Sequence, residues 1–260
     1  MAATTTSTDL DVKEFTIRVP DVPVSPPMPA LTPEQTFACL ARMLYREGYD
    51  EHLAGHITWK QPDGTFLVGP SGFVWDEVKA SDVMRMDADG NQLSGRWTIT
   101  QAIPLHTELH KVRKDVGVAI HNHTRWATIW AGLNRAPTIY DQTGAMYHGG
   151  VAVFGQYRGA VDEPEIAREI ALEMGDANIA LLANHGSFIL ARDPEQAFLR
   201  AMSFEWRCKQ AWHIEALGGA EPMLADAAAA FGDTFNKINF PGLFQAMARR
   251  EIRRDPAVLE

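Results

Sequence analysis

The 260-residue sequence has few of the features that mark secreted, membrane or nucleic-acid-binding proteins. Its two cysteines, Cys39 and Cys208, are far apart and indicate neither a disulfide framework nor a thiolate zinc site, so a reducing, cytoplasmic setting is expected. No apolar run approaches the ~20 residues of a membrane helix, and the N-terminus lacks the apolar core of a secretory signal. The formal net charge of -9 argues against a nucleic-acid-binding surface. We therefore expect neither a membrane nor a nucleic acid as a partner.

The composition is that of a globular chain, with 46% hydrophobic and 22% charged residues. Residues 1–31 are rich in Thr, Asp and Pro, which predicts an extended N-terminal arm. Residues 32–220 alternate apolar segments with turn signals and are expected to form the main domain. Residues 221–260 are expected to form a helical extension. There is no glycine-rich phosphate loop and no internal repeat.

Helix and strand signals alternate along the main domain. Thr32, Pro33 and Gln35 predict a capped helix start, and further helices are predicted from Pro104, after Asp162 and after Asp193. Buried strands are predicted over 116–121 and on both sides of Asn184-His185-Gly186. Hairpin signals precede them, including the Pro62-Asp63-Gly64 turn. This order predicts an α/β fold layered around a mixed sheet.

The histidines are the residues that most directly indicate chemistry. His121 and His123 lie two apart at the end of a predicted strand, so both side chains point to the same face and can reach one ion. His185 follows in a break between two apolar strands and could supply a third imidazole. Three neutral imidazoles suit Zn, Mn or Fe(II). A short His-x-His motif is weak evidence, however, and two ordinary hydrogen-bonded histidines are the alternative.

A second histidine pair, His106 and His110, lies four residues apart on the predicted helix with Glu108 between them. The acid occupies the wrong position for a metalloprotease helix. We expect His106 to be structural and close to the site, and Glu108 and His110 to be exposed. Among the remaining histidines, His56 is the best candidate for substrate contact.

Taken together, these segments resemble the class II aldolase/adducin family over residues 33–220. The resemblance rests on DEHLAGHIT (50–58), FLVGPSGFVWDEVKASDVMRMDADGN (66–91), the PLH and DVGVAIHNHT stretch (104–124) and LLANHGSFIL (181–190). It implies a three-layer α/β/α domain with a mixed, largely antiparallel central sheet. It also implies one divalent metal ion per subunit (Zn, Mn or Fe(II)), held by His121, His123 and His185. Family members are typically homotetramers with sites at subunit interfaces.

Aldolases of this family bind the substrate phosphate through an Asn, a Thr/Ser-Gly turn and a Ser pair that precedes a catalytic Glu. Here the turn is kept as Ser71-Gly72, whereas the pair is Thr100-Gln101 and His56 replaces the Asn. The position of the Glu, nineteen residues before the first metal histidine, is Ala102. A sugar-phosphate aldolase therefore does not fit this pattern. The sequence around these positions is instead rich in aromatic residues, which suit an aromatic or apolar acid better than a sugar phosphate. They are Phe73, Trp75, Trp97, Trp126 and Trp130.

We expect a metal-dependent enzyme that cleaves a carbon–carbon bond of a small hydroxy or oxo acid, as an aldolase-like or decarboxylase-like lyase. The alternative is a non-haem Fe(II) oxygenase that oxidatively decarboxylates an aromatic 2-oxo acid, and a third possibility is a non-catalytic adducin-like protein. The candidate catalytic residues are His56, Tyr140 and Tyr147. The candidate substrate-binding residues are Ser71, Gly72, Thr100, Gln101 and Trp126.

Overall fold

The structure, a computed structural model, describes residues 25–260. Its α-helices are α1 (Pro33–Arg46), α2 (Pro104–Val112), α3 (Arg125–Gly132), α4 (Gln142–Ala145), α5 (Pro164–Glu173), α6 (Pro194–Ala216), α7 (Ala225–Ile238) and α8 (Leu243–Arg254). Its strands are β1 (His56–Lys60), β2 (Phe66–Val68), β3 (Met84–Met86), β4 (Gln92–Ser94), β5 (Val118–Asn122), β6 (Val151–Phe154), β7 (Ile179–Leu182) and β8 (Gly186–Ala191). Short 3₁₀ helices cover Ala80–Asp82 and Pro256–Leu259.

The strands form one sheet in the order β4-β3-β2-β1-β5-β8-β7-β6. Among the described residues, β6 and β7 pair in parallel and every other neighbouring pair is antiparallel. The predicted mixed, largely antiparallel sheet is therefore confirmed. All residues of the central strands β5 and β8 are buried, which matches their apolar sequences.

Helices cover both faces of the sheet, which gives the three layers that the resemblance implies. One core lies between the sheet and α1, α3, α6 and α8, and includes Ile57 and Ile120. The other lies between the sheet and helices α2 and α5, and includes Ala119 and Phe188. Neighbouring residues of β5 enter opposite cores, as the alternation of a strand requires. His121, two residues after Ala119, thus faces the side of α2 and α5.

Several local predictions are confirmed in detail. Thr32 caps α1, and its side chain and that of Gln35 form the expected reciprocal capping box. Asp193 caps α6 through a hydrogen bond from the backbone N–H of Gln196. The break between the two apolar strands falls at residues 183–185. The metal-binding candidates therefore lie on the elements that the sequence predicts.

The two ends of the described chain pack against the main domain. Helices α7 and α8 lie within the predicted helical extension and pack against α4, α6 and α1. Arg249 on α8 donates hydrogen bonds to Ser25 Oγ and to the carbonyl of Pro26, so the described end of the predicted arm lies against α8. Residues 1–24 of that arm lie outside the described residues. Within residues 25–260, no helix is both long and apolar enough to cross a bilayer.

Candidate metal centre

The three predicted ligands meet at one edge of the sheet. His121 is in β5, His123 follows the end of that strand, and His185 lies in the turn between β7 and β8. Because β5 pairs with β8, the end of β5 lies beside this turn. The approach is so close that a Cβ atom added to Gly186 would lie 2.6 Å from the carbonyl oxygen of Asn122. Glycine is thus needed at this position to bring His185 next to His123.

The geometry of the three imidazoles fits one bound ion. One nitrogen from each ring belongs to a set whose members all lie within 4.8 Å of one another. The Nε2 atoms of His121 and His123 are 3.1 Å apart. Two imidazole nitrogens on one tetrahedral zinc ion are about 3.3 Å apart, given bonds of about 2.0–2.1 Å. The three histidines are therefore spaced as ligands of a single cation.

The protonation states also favour metal binding. Burial and the neighbouring histidines hold the pKa of His121 well below its ordinary value. Burial lowers the pKa of His123 and lowers that of His185 to about 4. All three rings are then neutral at pH 7, as metal ligands must be. Nδ1 of His121 donates to the carbonyl of Ser187 at 3.0 Å, which leaves Nε2 as the bare, metal-facing nitrogen.

His56 is the one predicted catalytic residue that the structure brings to this cluster. It pairs with His121 across β1 and β5, and the two ring centroids are 4.8 Å apart. Its Nδ1 lies 2.6 Å from Nε2 of His106, which is fully buried on α2. His106 is therefore a structural residue beside the site, as predicted.

The prediction that Glu108 and His110 are exposed is wrong. Glu108 is 8% and His110 5% exposed, because α2 lies between the sheet and α5 rather than at the surface. His110 packs on the ring of Phe66 and hydrogen-bonds to Thr58. Glu108 binds Lys111 at 2.8 Å on the other face. A helix that packs on two sides buries residues that its own periodicity places opposite the sheet.

The two loops that correspond to the phosphate-binding positions of the family's aldolases, at Ser71-Gly72 and Thr100-Gln101, lie next to each other. Ser71 and Gly72 form an exposed turn, and the backbone N–H of Ser71 donates to the carbonyl of Thr98 at 2.8 Å. Thr100 Oγ1 accepts a hydrogen bond from the N–H of Ala102 near the start of α2. Gln101 is exposed beside it. Among the described residues, no hydrogen bond or ring contact joins these loops to the three histidines.

Within one subunit, the other predicted site residues lie away from the cluster. The hydroxyl of Tyr147 donates to the carbonyl of Gly150 and accepts from the N–H of Asn178, which precedes β7, whereas His185 follows the opposite end of that strand. Tyr140 packs against the core on the other sheet face. The ring of Trp126 joins Trp212 on the outer side of α6. The roles assigned to these three residues stay predictions.

Two residues near the cluster were not predicted from the sequence. A carboxylate oxygen of Glu51 lies 3.4 Å from Nδ1 of His123. Tyr157, which is 62% exposed, places its ring 6.3 Å from that of His185. Parallel pairing of β6 and β7 brings their ends to the same sheet edge, so the segment after β6 reaches His185. Tyr157 lies outside the segments that carry the family resemblance, and Glu51 lies within DEHLAGHIT as an acid to which that resemblance assigned no role.

Comparison with known proteins shows the family to which the sequence belongs. Residues 35–212 match the family model of the class II aldolase and adducin N-terminal domain. The chain is 31% identical over 220 residues to a 3,4-dihydroxyphthalate decarboxylase of Arthrobacter keyseri, covering 78% of this chain and 88% of that protein. It is 28% identical over 200 residues to a 4-hydroxy-3-prenylphenylpyruvate oxygenase/4-hydroxy-3-prenylbenzoate synthase of Streptomyces roseochromogenus subsp. oscitans, covering 75% and 72%.

Among solved structures, an aldolase II superfamily protein from Pseudomonas syringae superimposes with a TM-score of 0.76, covering 88% of this chain and 97% of that one. Its 21% identity supports the shared fold alone. The matched family segment contains all three clustered histidines and all eight strands of the described sheet. The protein therefore belongs to the class II aldolase and adducin family.

Proposed function

We propose that this protein is a divalent-metal-dependent lyase that decarboxylates a small aromatic hydroxy acid. The observation that carries the proposal is a cluster of three neutral histidines in a chain with Ala102 where an aldolase of the family has its acid/base carboxylate. The likeness to two dihydroxyphthalate decarboxylases supports the same class of substrate. Retro-aldol cleavage needs a positioned acid/base group, which typically contributes ~10²–10⁴-fold to the rate.

His121, His123 and His185 are the residues that would hold the cation. A cation bound there supplies Lewis-acid stabilisation to negative charge that develops on a chelated hydroxy or carboxylate group. In the net reaction the bond between ring carbon and carboxylate breaks, CO₂ leaves, and the electron pair left on the ring carbon takes up a proton from water. We assign the contact with the substrate to His56, and the proximity of its ring to that of His121 supports this role.

The loop with the Ser71-Gly72 turn, which does not reach the three histidines within one chain, carries aromatic side chains that would suit an apolar ring better than a sugar phosphate. Phe73 and Trp97 pack edge to face, with ring centroids 4.9 Å apart, beside the exposed Ser71-Gly72 turn. In place of the family's Asn and Ser pair, the chain has His56 and Thr100-Gln101. We propose that a second subunit of a homotetramer completes the pocket. Tyr140 and Trp126, which are partly exposed and do not reach the cluster of their own chain, are the predicted residues that a neighbouring subunit could contribute, whereas Tyr147 is buried within its own chain.

The test is decarboxylation of 3,4-dihydroxyphthalate by the purified protein loaded with zinc, manganese or iron(II). CO₂ release and formation of the dihydroxybenzoate are expected with the wild type, and His121→Ala and His185→Ala should lose both activity and bound metal. His213→Ala, which changes an exposed histidine, is the matched control and should keep both. Full metal occupancy in His121→Ala, or cleavage of fuculose phosphate in place of aromatic acids, would contradict the proposal.

The second candidate function is an Fe(II) oxygenase acting on an aromatic 2-oxo acid. The likeness to the Streptomyces oxygenase favours it, and three histidines suit iron as well as zinc. Metal content measured by plasma mass spectrometry on protein purified without oxygen separates the two candidates. Stoichiometric iron together with substrate-dependent oxygen uptake supports the oxygenase, whereas CO₂ release without oxygen uptake supports the lyase. Loss of all metal binding would favour the non-catalytic adducin-like role.

A further inference from the structure

A polar cavity of about 300 Å³ lies at the edge of the sheet opposite the metal centre. Its wall includes Val116, which precedes β5, and Ala191, the last residue of β8, whereas the metal-binding histidines lie where β5 ends and β8 begins. The six residues of β8 separate the two edges by roughly 17 Å, at about 3.4 Å per residue, so the cavity is distinct from the metal centre. The polar side chains that line it are Asp115, Asn178, Arg192, Gln196, Arg200 and Asn236.

Arg200 is a buried cation of this cavity that has no carboxylate partner. The residue is only 7% exposed. Its Nη1 donates to the carbonyl of Leu190 at 2.5 Å and its Nη2 to Oδ1 of Asn236 at 2.7 Å, and both acceptors are neutral. Among residues 25–260, Arg200 forms no ion pair. Buried charges in proteins are normally paired, because removing an ion from water costs free energy. The guanidinium of Arg200 therefore lacks the counter-charge that a buried cation normally has.

Two carboxylates, Asp115 and Asp193, lie close enough to Arg200 to interact with it electrostatically, but each is paired with another arginine. Asp115 accepts two hydrogen bonds from Arg113, at 2.9 and 2.8 Å. Asp193 lies 2.9 Å from Nε of Arg192 and also caps α6. The two carboxylates therefore offset the charges of Arg113 and Arg192, and the charge of Arg200 remains in excess.

An adjoining cavity of about 400 Å³ adds two lysines to this edge of the sheet. It shares Asp115 and Arg192 with the first cavity, and Lys60 and Lys114 also line it. Neither lysine forms an ion pair among the described residues, and Nζ of Lys114 donates to the carbonyl of His110 at 3.4 Å. Positive charge is thus concentrated at one edge of a chain whose formal net charge is -9. A local excess of this sign attracts small anions.

We propose that the cavity lined by Arg192 and Arg200 binds a small oxyanion, either phosphate or a carboxylate group. Guanidinium groups suit both, because their planar fork donates parallel, charge-assisted hydrogen bonds to two oxygens of one anion. The amides of Asn178 and Asn236 add donors, since Oδ1 of each accepts from an arginine and the NH₂ group is left to donate. The bound anion supplies the counter-charge that Arg200 lacks among the described residues. This inference is independent of the proposed function, because the metal centre lies at the other edge of the sheet.

Isothermal titration of inorganic phosphate into the zinc-loaded protein, in a low-salt buffer without other oxyanions, tests the site. One phosphate per subunit is expected. Arg192→Gln should weaken binding by at least about tenfold, because it removes charged hydrogen-bond donors. Arg253→Gln changes an exposed arginine on α8 and is the matched control, which should bind phosphate as the wild type does. Wild-type affinity in Arg192→Gln would overturn the proposal.

His185→Ala separates this site from the metal centre, where a phosphate could also bind. The variant should keep the wild-type affinity for phosphate, since its substitution lies at the opposite edge of the sheet. Loss of phosphate binding in His185→Ala would place the anion on the metal and overturn the proposal, and this result does not depend on whether Arg192→Gln folds. Acetate titrated in the same way identifies the oxyanion. Tighter binding of phosphate assigns a phosphate group and tighter binding of acetate a carboxylate, whereas a wild type that binds neither would contradict the site.

Discussion

A carboxylate oxygen of Glu51 lies 3.4 Å from Nδ1 of His123, the ring nitrogen opposite the one that belongs to the metal cluster. That oxygen is buried and makes no hydrogen bond of standard geometry among the described residues, and the ring of His123 is the polar group found beside it. A carboxylate behind a metal-binding imidazole fixes the ring orientation and makes the ligand more basic. Glu51 thus faces Nδ1 of His123 in the same way that the carbonyl of Ser187 faces Nδ1 of His121.

Glu51→Gln should weaken zinc binding by about tenfold, since loss of such a partner typically costs 10–100-fold in affinity. The amide keeps the size of the side chain but removes the charge that favours an N–H on Nδ1. Competition with a chromophoric chelator measures the change. Asp50→Asn is the matched control, because it removes one charge from the exposed neighbouring residue and should leave the affinity unchanged. Equal affinity of Glu51→Gln and the wild type would remove Glu51 from the site.

The close approach of β5 and β8 leads to a second prediction. In Gly186→Ala, the new methyl group would lie 2.6 Å from the Asn122 carbonyl oxygen and 2.7 Å from the ring of His123. The strand ends must separate, which should cost about 1–3 kcal/mol of unfolding free energy and also weaken zinc binding. Urea unfolding and chelator competition measure the two effects. Gly150→Ala, whose added methyl group meets no atom within 4 Å, should change neither.

Much of this site could be predicted from the sequence, because its ligands follow local patterns. Alternation along β5 places His121 and His123 on one face, and the strand–turn–strand pattern places His185 in a break. Glu51 could not be predicted in this way, because its contact depends on where the loop before β1 crosses the sheet edge. The burial of His110 was missed for a similar reason, since its contacts with Thr58 on β1 and Phe66 on β2 are long-range contacts. Capping and periodicity rules describe one helix or strand at a time. The Glu51 contact and the burial of His110 both depend on how separate elements pack together, so these rules could not predict them.

A buried acid on α6 supports the chain directly after His123. Glu205 accepts hydrogen bonds from the Thr124 hydroxyl and from the backbone N–H groups of Trp126 and Ala127, at the start of α3. Burial raises the pKa of this carboxyl to about 7 despite these donors, so it is mostly ionised at pH 8. Glu205→Gln leaves one oxygen for three donors and should cost about 1–3 kcal/mol of unfolding free energy at pH 8.

The same variant should weaken zinc binding, because α3 begins two residues after His123. Thermal unfolding at pH 8 and chelator competition measure the two effects. Glu195→Gln, on the exposed face of the same helix, should leave both unchanged. A Glu205→Gln variant as stable as the wild type would show that the three hydrogen bonds contribute little to the fold.

The buried histidines predict how the metal-free protein responds to acid. Burial lowers the pKa of His110 to about 4, whereas an unfolded histidine titrates near pH 6.5. Between these values the unfolded chain binds a proton that the folded chain does not, so acidification favours unfolding. The free energy of unfolding should therefore fall as the pH drops from about 6.5 to about 4. His110 contributes at most ~3 kcal/mol to this fall.

The contribution of His110 is isolated by a difference between variants, because other groups also titrate in this range. His110→Gln keeps a polar side chain that does not titrate, so its stability should fall less steeply than that of the wild type over the same interval. His213→Gln changes an exposed histidine and should follow the wild type. Urea unfolding of the metal-free proteins at several pH values gives the three curves. Parallel curves for the wild type and His110→Gln would mean that the His110 ring takes up a proton in the folded protein as readily as in the unfolded chain.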